Sequence, residues 1–372
     1  MDPSSRQNTR ASLLVLLRLG IGNEAGEALP AAIDWPAVRA LAKQQQLTAI
    51  AFDGAVRLLE AGTLTGARAL PGQIKMQWLH NVDTNYEQRY PRYRRALADL
   101  TRFYAGHGIP LMVLKGYGLS LCYPRPEHRP CGDFDIWLSG RQQEADRLLT
   151  AELGIPVEPD PHHHTMFQFE GFSVENHFNF FNVRSHRSNR QLEDYFKRTF
   201  AEGARAVEVE GERVLLPGAD FHAMFLLRHS LQHFAGGTGG FRLRNVLDWA
   251  LFVRAHAGQI HWEPLLEVAA QYRMTPFLSC LDAICIQDLG FDAALFPALP
   301  VDAELKERVL QDILFPPFGD QPEPRKLLPR IAYKWRRLRA SAWKDRLCFS
   351  DDQPWRRYLL SLWDHLIHPD RI

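Results

Sequence analysis

The apolar positions change period along the chain. Up to about residue 106 they recur at helical spacing. Asp34-Trp35-Pro36 supplies an N-cap and a first-turn proline, and Val38, Leu41, Ala42 and Leu47 follow on one face. Pro71-Gly72 breaks the pattern, and residues 78–104 resume it with a kink expected at Pro91. From 107 to about 217 short apolar runs and alternation take over. Residues 111–114 read as a buried strand ending abruptly at Lys115-Gly116, and residues 117–123 as two helical turns stopped by Pro124. In residues 132–138, alternation puts Asp133 and Asp135 on one face and Phe134, Ile136 and Leu138 on the other. A helix is expected over 142–149. Hairpins are expected over 165–178, turned at Glu170-Gly171, and over 207–217, turned near Gly211. Helical spacing returns over 220–234, 242–257 and 262–272. The pattern therefore predicts an α+β chain with an N-terminal helical domain (1–106), a strand-bearing core (107–217) and a C-terminal helical domain (218–372). One design recurs on both sides of the core: Ile33-Asp34-Trp35 with Leu47-Thr48 is echoed by Ile260-His261-Trp262 with Met274-Thr275.

The 372 residues allow two or three domains with sizeable cores, and 46% apolar with 23% charged residues is ordinary for a soluble globular chain. A net charge of +1 implies no global field for polyanions. The N-terminus lacks the build of a signal peptide, and no apolar stretch reaches the length of a membrane span. The five cysteines are odd in number and form no Cys-x-x-Cys pair, so reduced thiols in a cytoplasm are expected.

The chemistry concentrates between residues 110 and 138. Two carboxylates two apart on a strand point the same way, and like charges that close call for a cation. Hard oxygen donors converging on one point suit Mg²⁺, with Mn²⁺ as the alternative. The plainer reading of Asp133 and Asp135 is a solvated strand face. The preceding apolar strand, the Lys115-Gly116-Tyr117-Gly118 turn and the short helix argue against it.

The stretch Leu114-Lys115-Gly116 … Arg129-Pro130-Cys131-Gly132-Asp133-Phe134-Asp135 resembles the core of the uncharacterised bacterial nucleotidyltransferase family, within the DNA polymerase β-like nucleotidyltransferase superfold. The resemblance implies a small mixed-sheet core in which Gly116 and Lys115 cradle nucleotide phosphates and Asp133 and Asp135 hold metal ions. It further implies a third acid on a later strand. The superfold usually has Gly-Ser or Gly-Gly at the turn, and this chain has Gly116-Tyr117. In Phe172-Ser-Val-Glu175-Asn-His177, Glu175 and His177 share a strand face, and the family pattern is similar there. Glu175 is expected as the third metal ligand or general base. His177 is expected at a phosphate, at the acceptor, or in support of the ligands. Arg129 is expected either to contact phosphate or to brace the Asp loop.

The implied activity is an enzyme's: metal-dependent transfer of a nucleoside monophosphate from an NTP, with ATP first in line, to a hydroxyl or phosphate acceptor, releasing pyrophosphate. A small-molecule acceptor is favoured by the neutral net charge. Nucleotidylation of tRNA or protein and a non-catalytic nucleotide-binding module are the rivals. Beyond the core, His162-His163-His164 reads as a loop tract rather than a metal site, because successive side chains diverge. His229 and His233, four apart on a helix, read as core or supporting histidines. The glycine-rich loop 236–240 precedes Arg242, Arg244 and Asp248, which are expected to reach back toward nucleotide or acceptor. Residues 325–346 carry nine Lys or Arg with Tyr333, Trp335 and Trp343 interleaved, expected as a helix with its aromatics turned inward.

Overall fold

The computed structural model describes residues 2–26, 28–159, 163–184, 186–236, 240–318, 324 and 326–349. The leading helices start where the caps direct. The Asp2 and Asp34 carboxylates accept the amides of Ser5 and Ala37 at 2.9 and 3.0 Å, opening α1 (Pro3–Gly20) and α2 (Trp35–Gln44). Two more helices follow, α3 (Thr48–Glu60) and α4 (Gly72–Val82). The chain then passes through a π-helical turn at Asp83–Glu87 into α5 (Arg89–Gly106). The irregularity expected at Pro91 thus falls a few residues earlier. Pro91 itself lies in the first turn of α5, where a missing N–H breaks no helical bond.

The strand-bearing segment runs β1 (Met112–Val113), α6 (Tyr117–Ser120), β2 (Asp133–Trp137), α7 (Gln142–Leu153), β3 (Glu158–Pro159), β4 (His164–Phe169), β5 (Phe172–His177), α8 (Arg187–Thr199), β6 (Arg205–Val209) and β7 (Glu212–Leu216). Among the described residues these strands form one mixed sheet in the order β3-β4-β5-β2-β1-β7-β6. β2 is antiparallel to β1 and parallel to β5, and β1 is parallel to β7. Both expected hairpins are present, as β4–β5 and β6–β7. The helix expected over 117–123 is shorter, a single turn, and α8 falls where the alternation predicts nothing.

The sheet separates two cores. Its outer face, with Val113, Phe134, Ile136 and Val174, packs on Tyr93, Leu97, Leu100 and Tyr104 of α5 and on Ala145 and Leu149 of α7. Its inner face, with Met112, Leu114 and Trp137, joins the larger core. That core is built by α1–α4 together with α9 (Ala219–Ala235), α10 (Leu243–Ala255), α11 (Trp262–Gln271), α12 (Thr275–Ala283) and α13 (Ala303–Leu314). Polar bonds tie the same two sets of helices. Gln45 donates to the Ile313 carbonyl at 2.9 Å and accepts the Leu243 amide at 2.8 Å, and Arg18 Nε donates to the Asp288 carbonyl at 2.8 Å. The repeated Trp design appears as two matched helix pairs, α2–α3 and α11–α12.

The last described helix, α14 (Leu327–Cys348), carries most of the basic segment; residue 325 lies outside the described residues. Tyr333 is buried and Trp343 packs edge-on to Phe234 at 5.7 Å, as expected, but Trp335 is 51% exposed. No described helix is long and apolar enough to cross a membrane. Among the described residues, no two cysteines form a disulfide.

Candidate active site

Register decides the site. β2 and β5 pair with Asp135 opposite Glu175 and Trp137 opposite His177. Because side chains alternate, Asp133, Asp135, Ser173, Glu175 and His177 all stand on the inner face. The outer face locks this choice: Asn176, fully buried, donates to Asp146 of α7 at 2.8 Å, and Thr165 of β4 donates to the same carboxylate at 2.9 Å. A one-residue slip would break those bonds and turn Glu175 away. As placed, one ligand atom each from Asp135, Glu175 and His177 lie within 4.8 Å of one another.

The turn after β1 forms the floor. Gly116 has φ +61° and ψ −108°, a conformation only glycine adopts readily. A Cβ there would lie 2.4 Å from the Tyr93 hydroxyl, which itself donates to the Asp133 carbonyl at 3.0 Å. The turn therefore seats against the start of β2. Lys115 reaches back over it, its Nζ 2.7 Å from Asp135 Oδ1 and donating to His229 Nε2 at 2.8 Å. His233 stands one helical turn along α9, with its Nε2 2.9 Å from that of His229.

Arg129 braces the turn from behind. Its guanidinium forks onto Asp248 of α10 at 2.8 and 3.0 Å, and Nη1 donates to the Gly116 carbonyl at 3.1 Å. Tyr123 donates to Asp248 at 2.8 Å as well. Arg129 and Asp248 are 3% and 5% exposed, so this is a buried ion pair. Arg244 approaches Asp248 at 3.6 Å, and its buried Nε has no hydrogen-bond partner among the described residues. Lys115, Gly116, Arg129, Asp133, Asp135, His229, Arg244 and Asp248 line one cleft of about 50 Å³.

Arg242 stands apart from this lining. Its side chain donates to the Gln44 carbonyl at 2.6 Å, and Asn245 accepts its backbone amide, so Arg242 opens α10. Among the histidines set aside on sequence grounds, His229 is brought into the cleft. Its i, i+4 spacing with His233 was the only sequence signal. His163 and His164 adjoin His177, with ring centroids 5.5 and 5.4 Å away, and His162 lies outside the described residues. Residues 237–239 of the glycine-rich loop also lie outside them.

The charges are mutually adjusted. Burial opposes ionisation of Asp135, but the Lys115 ammonium and the His177 hydrogen bond hold its carboxyl well below the usual range. Asp133, at the exposed end of β2, is pushed up by desolvation in the cleft and by the Asp135 anion. Burial also opposes a charged His177, yet bonds to Asp135 and Glu175 win and raise it to about 9. Its Nδ1 donates to the Asn179 carbonyl at 3.2 Å, and Nε2 faces Asp135 at 3.4 Å and Glu175 at 3.7 Å. His229 is held well below its usual value by burial and then by Lys115, so it is a neutral acceptor.

A glycine turn, an Asp-x-Asp strand and a parallel partner strand bearing a third acid define a nucleotidyltransferase-type site. The chain belongs to the uncharacterised nucleotidyltransferase family, whose model matches residues 31–287 and so spans the whole sheet and every residue lining the cleft. Among solved structures, the chain is similar to an antigenic nucleotidyltransferase-like protein from Paracoccidioides brasiliensis, at 14% identity and a TM-score of 0.33, over 50% of this chain and 90% of that one. No curated protein sequence matches it.

Proposed function

We propose that this member of the family is a metal-dependent nucleotidyltransferase, moving a nucleoside monophosphate from an NTP to a hydroxyl or phosphate acceptor with release of pyrophosphate. The observation that carries the reading is the in-register pairing of Asp135 with Glu175, with Asp133 on the same face at the mouth of a cleft flanked by Lys115 and Arg244. The donor set fits Mg²⁺, with Mn²⁺ as the alternative: three carboxylates on one face supply hard oxygen ligands, and the His177 Nε2 beside them is taken up by Asp135 and Glu175. Once bound there, the metal would neutralise phosphate charge and acidify the acceptor oxygen.

The chain's own groups divide the remaining work. Lys115 and Arg244 supply positive charge for a triphosphate lying over the Gly116 turn. The Arg129–Asp248 pair holds that turn against α10. His177 keeps Asp135 and Glu175 ionised and oriented from below. Glu175, less buried than Asp135 and beside it on the paired strand, is the group that accepts or steers the acceptor proton. ATP is the first donor to try. A small molecule is favoured as acceptor, and transfer to RNA or protein is a second reading prompted by the exposed Trp335 on the basic helix α14.

The test incubates the protein with each labelled NTP, Mg²⁺ and a fractionated cell extract, and follows pyrophosphate and label. Pyrophosphate release with label in the low-molecular-mass fraction is expected, and label in RNA or protein selects the second reading. Glu175→Gln should cut the rate strongly while triphosphate affinity stays within about a few fold, since a neutral amide cannot take up a proton. Equal turnover by wild type, Glu175→Gln and an Asp133/Asp135 double alanine variant would sink the proposal.

A further inference from the structure

One cation already sits where a metal ion is needed. Lys115 Nζ lies 2.7 Å from Asp135 Oδ1, and the lysine side chain is only 18% exposed. His177 Nε2 approaches the same carboxylate oxygen at 3.4 Å. A divalent ion bonded to that oxygen at roughly 2.1 Å would stand no more than about 5 Å from the ammonium, inside a cleft that screens poorly. The two cations therefore compete for Asp135. The lysine has somewhere else to go. Its second partner, His229, is neutral and asks for no charge, so releasing Asp135 does not strand an anion–cation pair on that side. The next residue is the Gly116 turn, which puts a phosphate oxygen lying there within the reach of the same side chain.

We propose that Lys115 is an internal stand-in for the metal, which guards Asp135 until the phosphates of a nucleotide draw the ammonium away, so that a divalent ion gains its site only together with nucleotide. This rests on the reading of Asp133, Asp135 and Glu175 as the metal ligands. In the nucleotide-free state the ammonium offsets the crowded carboxylates and keeps free divalent ions out. When phosphate arrives, the lysine exchanges a carboxylate for a phosphate oxygen, and the vacated carboxylate becomes a ligand. The enzyme is thereby kept from assembling a metal site with no substrate in it.

The experiment measures Mn²⁺ binding by electron paramagnetic resonance on the full chain, without turnover. Nucleotide supplies metal ligands of its own, so the decisive arm is Mn²⁺ alone. Lys115→Met should bind Mn²⁺ at least about tenfold more tightly than wild type, because a competing cation is gone. Lys115→Gln, which removes the charge but keeps a polar group, should do the same if the methionine variant folds poorly. Lys115→Arg should stay near wild type. A non-hydrolysable ATP analogue should tighten Mn²⁺ binding far more in wild type than in Lys115→Met. Mn²⁺ affinity in the charge-removed variants equal to or weaker than wild type would overturn the proposal. The underlying reading fails separately: if Asp135→Asn leaves Mn²⁺ binding intact, the carboxylates are not the ligands, whatever Lys115 does.

Discussion

Asp248→Ala is the sharpest test of how the site is held. Asp248 lies on α10, 119 residues from the arginine it pairs with, and receives two guanidinium bonds plus the Tyr123 hydroxyl. Both charges are almost fully buried. Removing one partner of such a pair typically costs about 3–5 kcal/mol, because the other charge is stranded. Here the Tyr123 hydroxyl also loses its acceptor, worth about 1–3 kcal/mol. Arg244 at 3.6 Å then faces Arg129 with no anion between them. A loss of about 5 kcal/mol is expected, set against total stabilities of about 5–15 kcal/mol. Urea unfolding of wild type, Asp248→Ala, Arg129→Met and the double variant measures it, using two probes to check that the transitions coincide. The double variant should cost markedly less than the sum, with a coupling of about 2–3 kcal/mol. Nucleotide affinity should fall in all three variants, since each loses the Arg129 bond to the Gly116 carbonyl or its anchor. Additive effects, or an Asp248→Ala cost below about 1 kcal/mol, would refute the reasoning.

Three further outcomes are expected. Asp133→Ala and Asp135→Ala should both abolish Mg²⁺-dependent nucleotide binding in calorimetry but differ in melting temperature: Asp133 is exposed and crowded, so its loss is neutral or stabilising, whereas loss of buried Asp135 strands Lys115 and His177 and destabilises. Gly116→Val should lower both nucleotide affinity and stability, because its Cβ would meet the Tyr93 hydroxyl at 2.4 Å in a backbone conformation that valine resists; an unchanged melting temperature would show the turn to be looser than described. Asp282, buried and bonded through Oδ1 to Trp249 Nε1 at 2.8 Å, has its carboxyl driven up to about 8 by burial, so its stabilising proton is held in both states below about pH 4 and its contribution is lost as pH rises through 8. Asp282→Asn should therefore match wild type near pH 4 and melt progressively higher than it toward pH 8, and a gap independent of pH would contradict the assignment.

The fold was legible where one local pattern settles the answer. Asp34-Trp35-Pro36 announces α2 because cap, proline and apolar spacing agree. The alternation 132–138 announces β2 and its two faces because each face is buried against a different core. The misses have local causes too. Residues 187–199 carry few apolar positions, since α8 buries only a narrow stripe around Leu192 and Phe196, and its Glu193 is spent on the amides of Phe180 and Phe181. The Pro91 kink was misplaced because a proline read as a breaker is harmless in a first turn. Trp335 was expected to face inward by analogy with its neighbours, yet α14 turns it to solvent.

The site divides along the same line. Its acidic half follows from a period of two within each strand, which puts Asp133 with Asp135 and Glu175 with His177; the register of β2 on β5 then brings the two sets onto one face. Its basic half is assembled across the chain. Lys115 meets His229 across 114 residues and Arg129 meets Asp248 across 119, and no spacing rule connects such pairs. Arg242 and Arg244 show the limit most directly. They are two residues apart at the start of one helix and chemically alike, yet the first is turned to the Gln44 carbonyl and the second to the cleft. Arg242 is the extended N-cap residue and Arg244 the second residue of α10, so their side chains leave the backbone in different directions. The i, i+4 partners Arg244 and Asp248 share a face, and it is that face that α10 presents to the cleft.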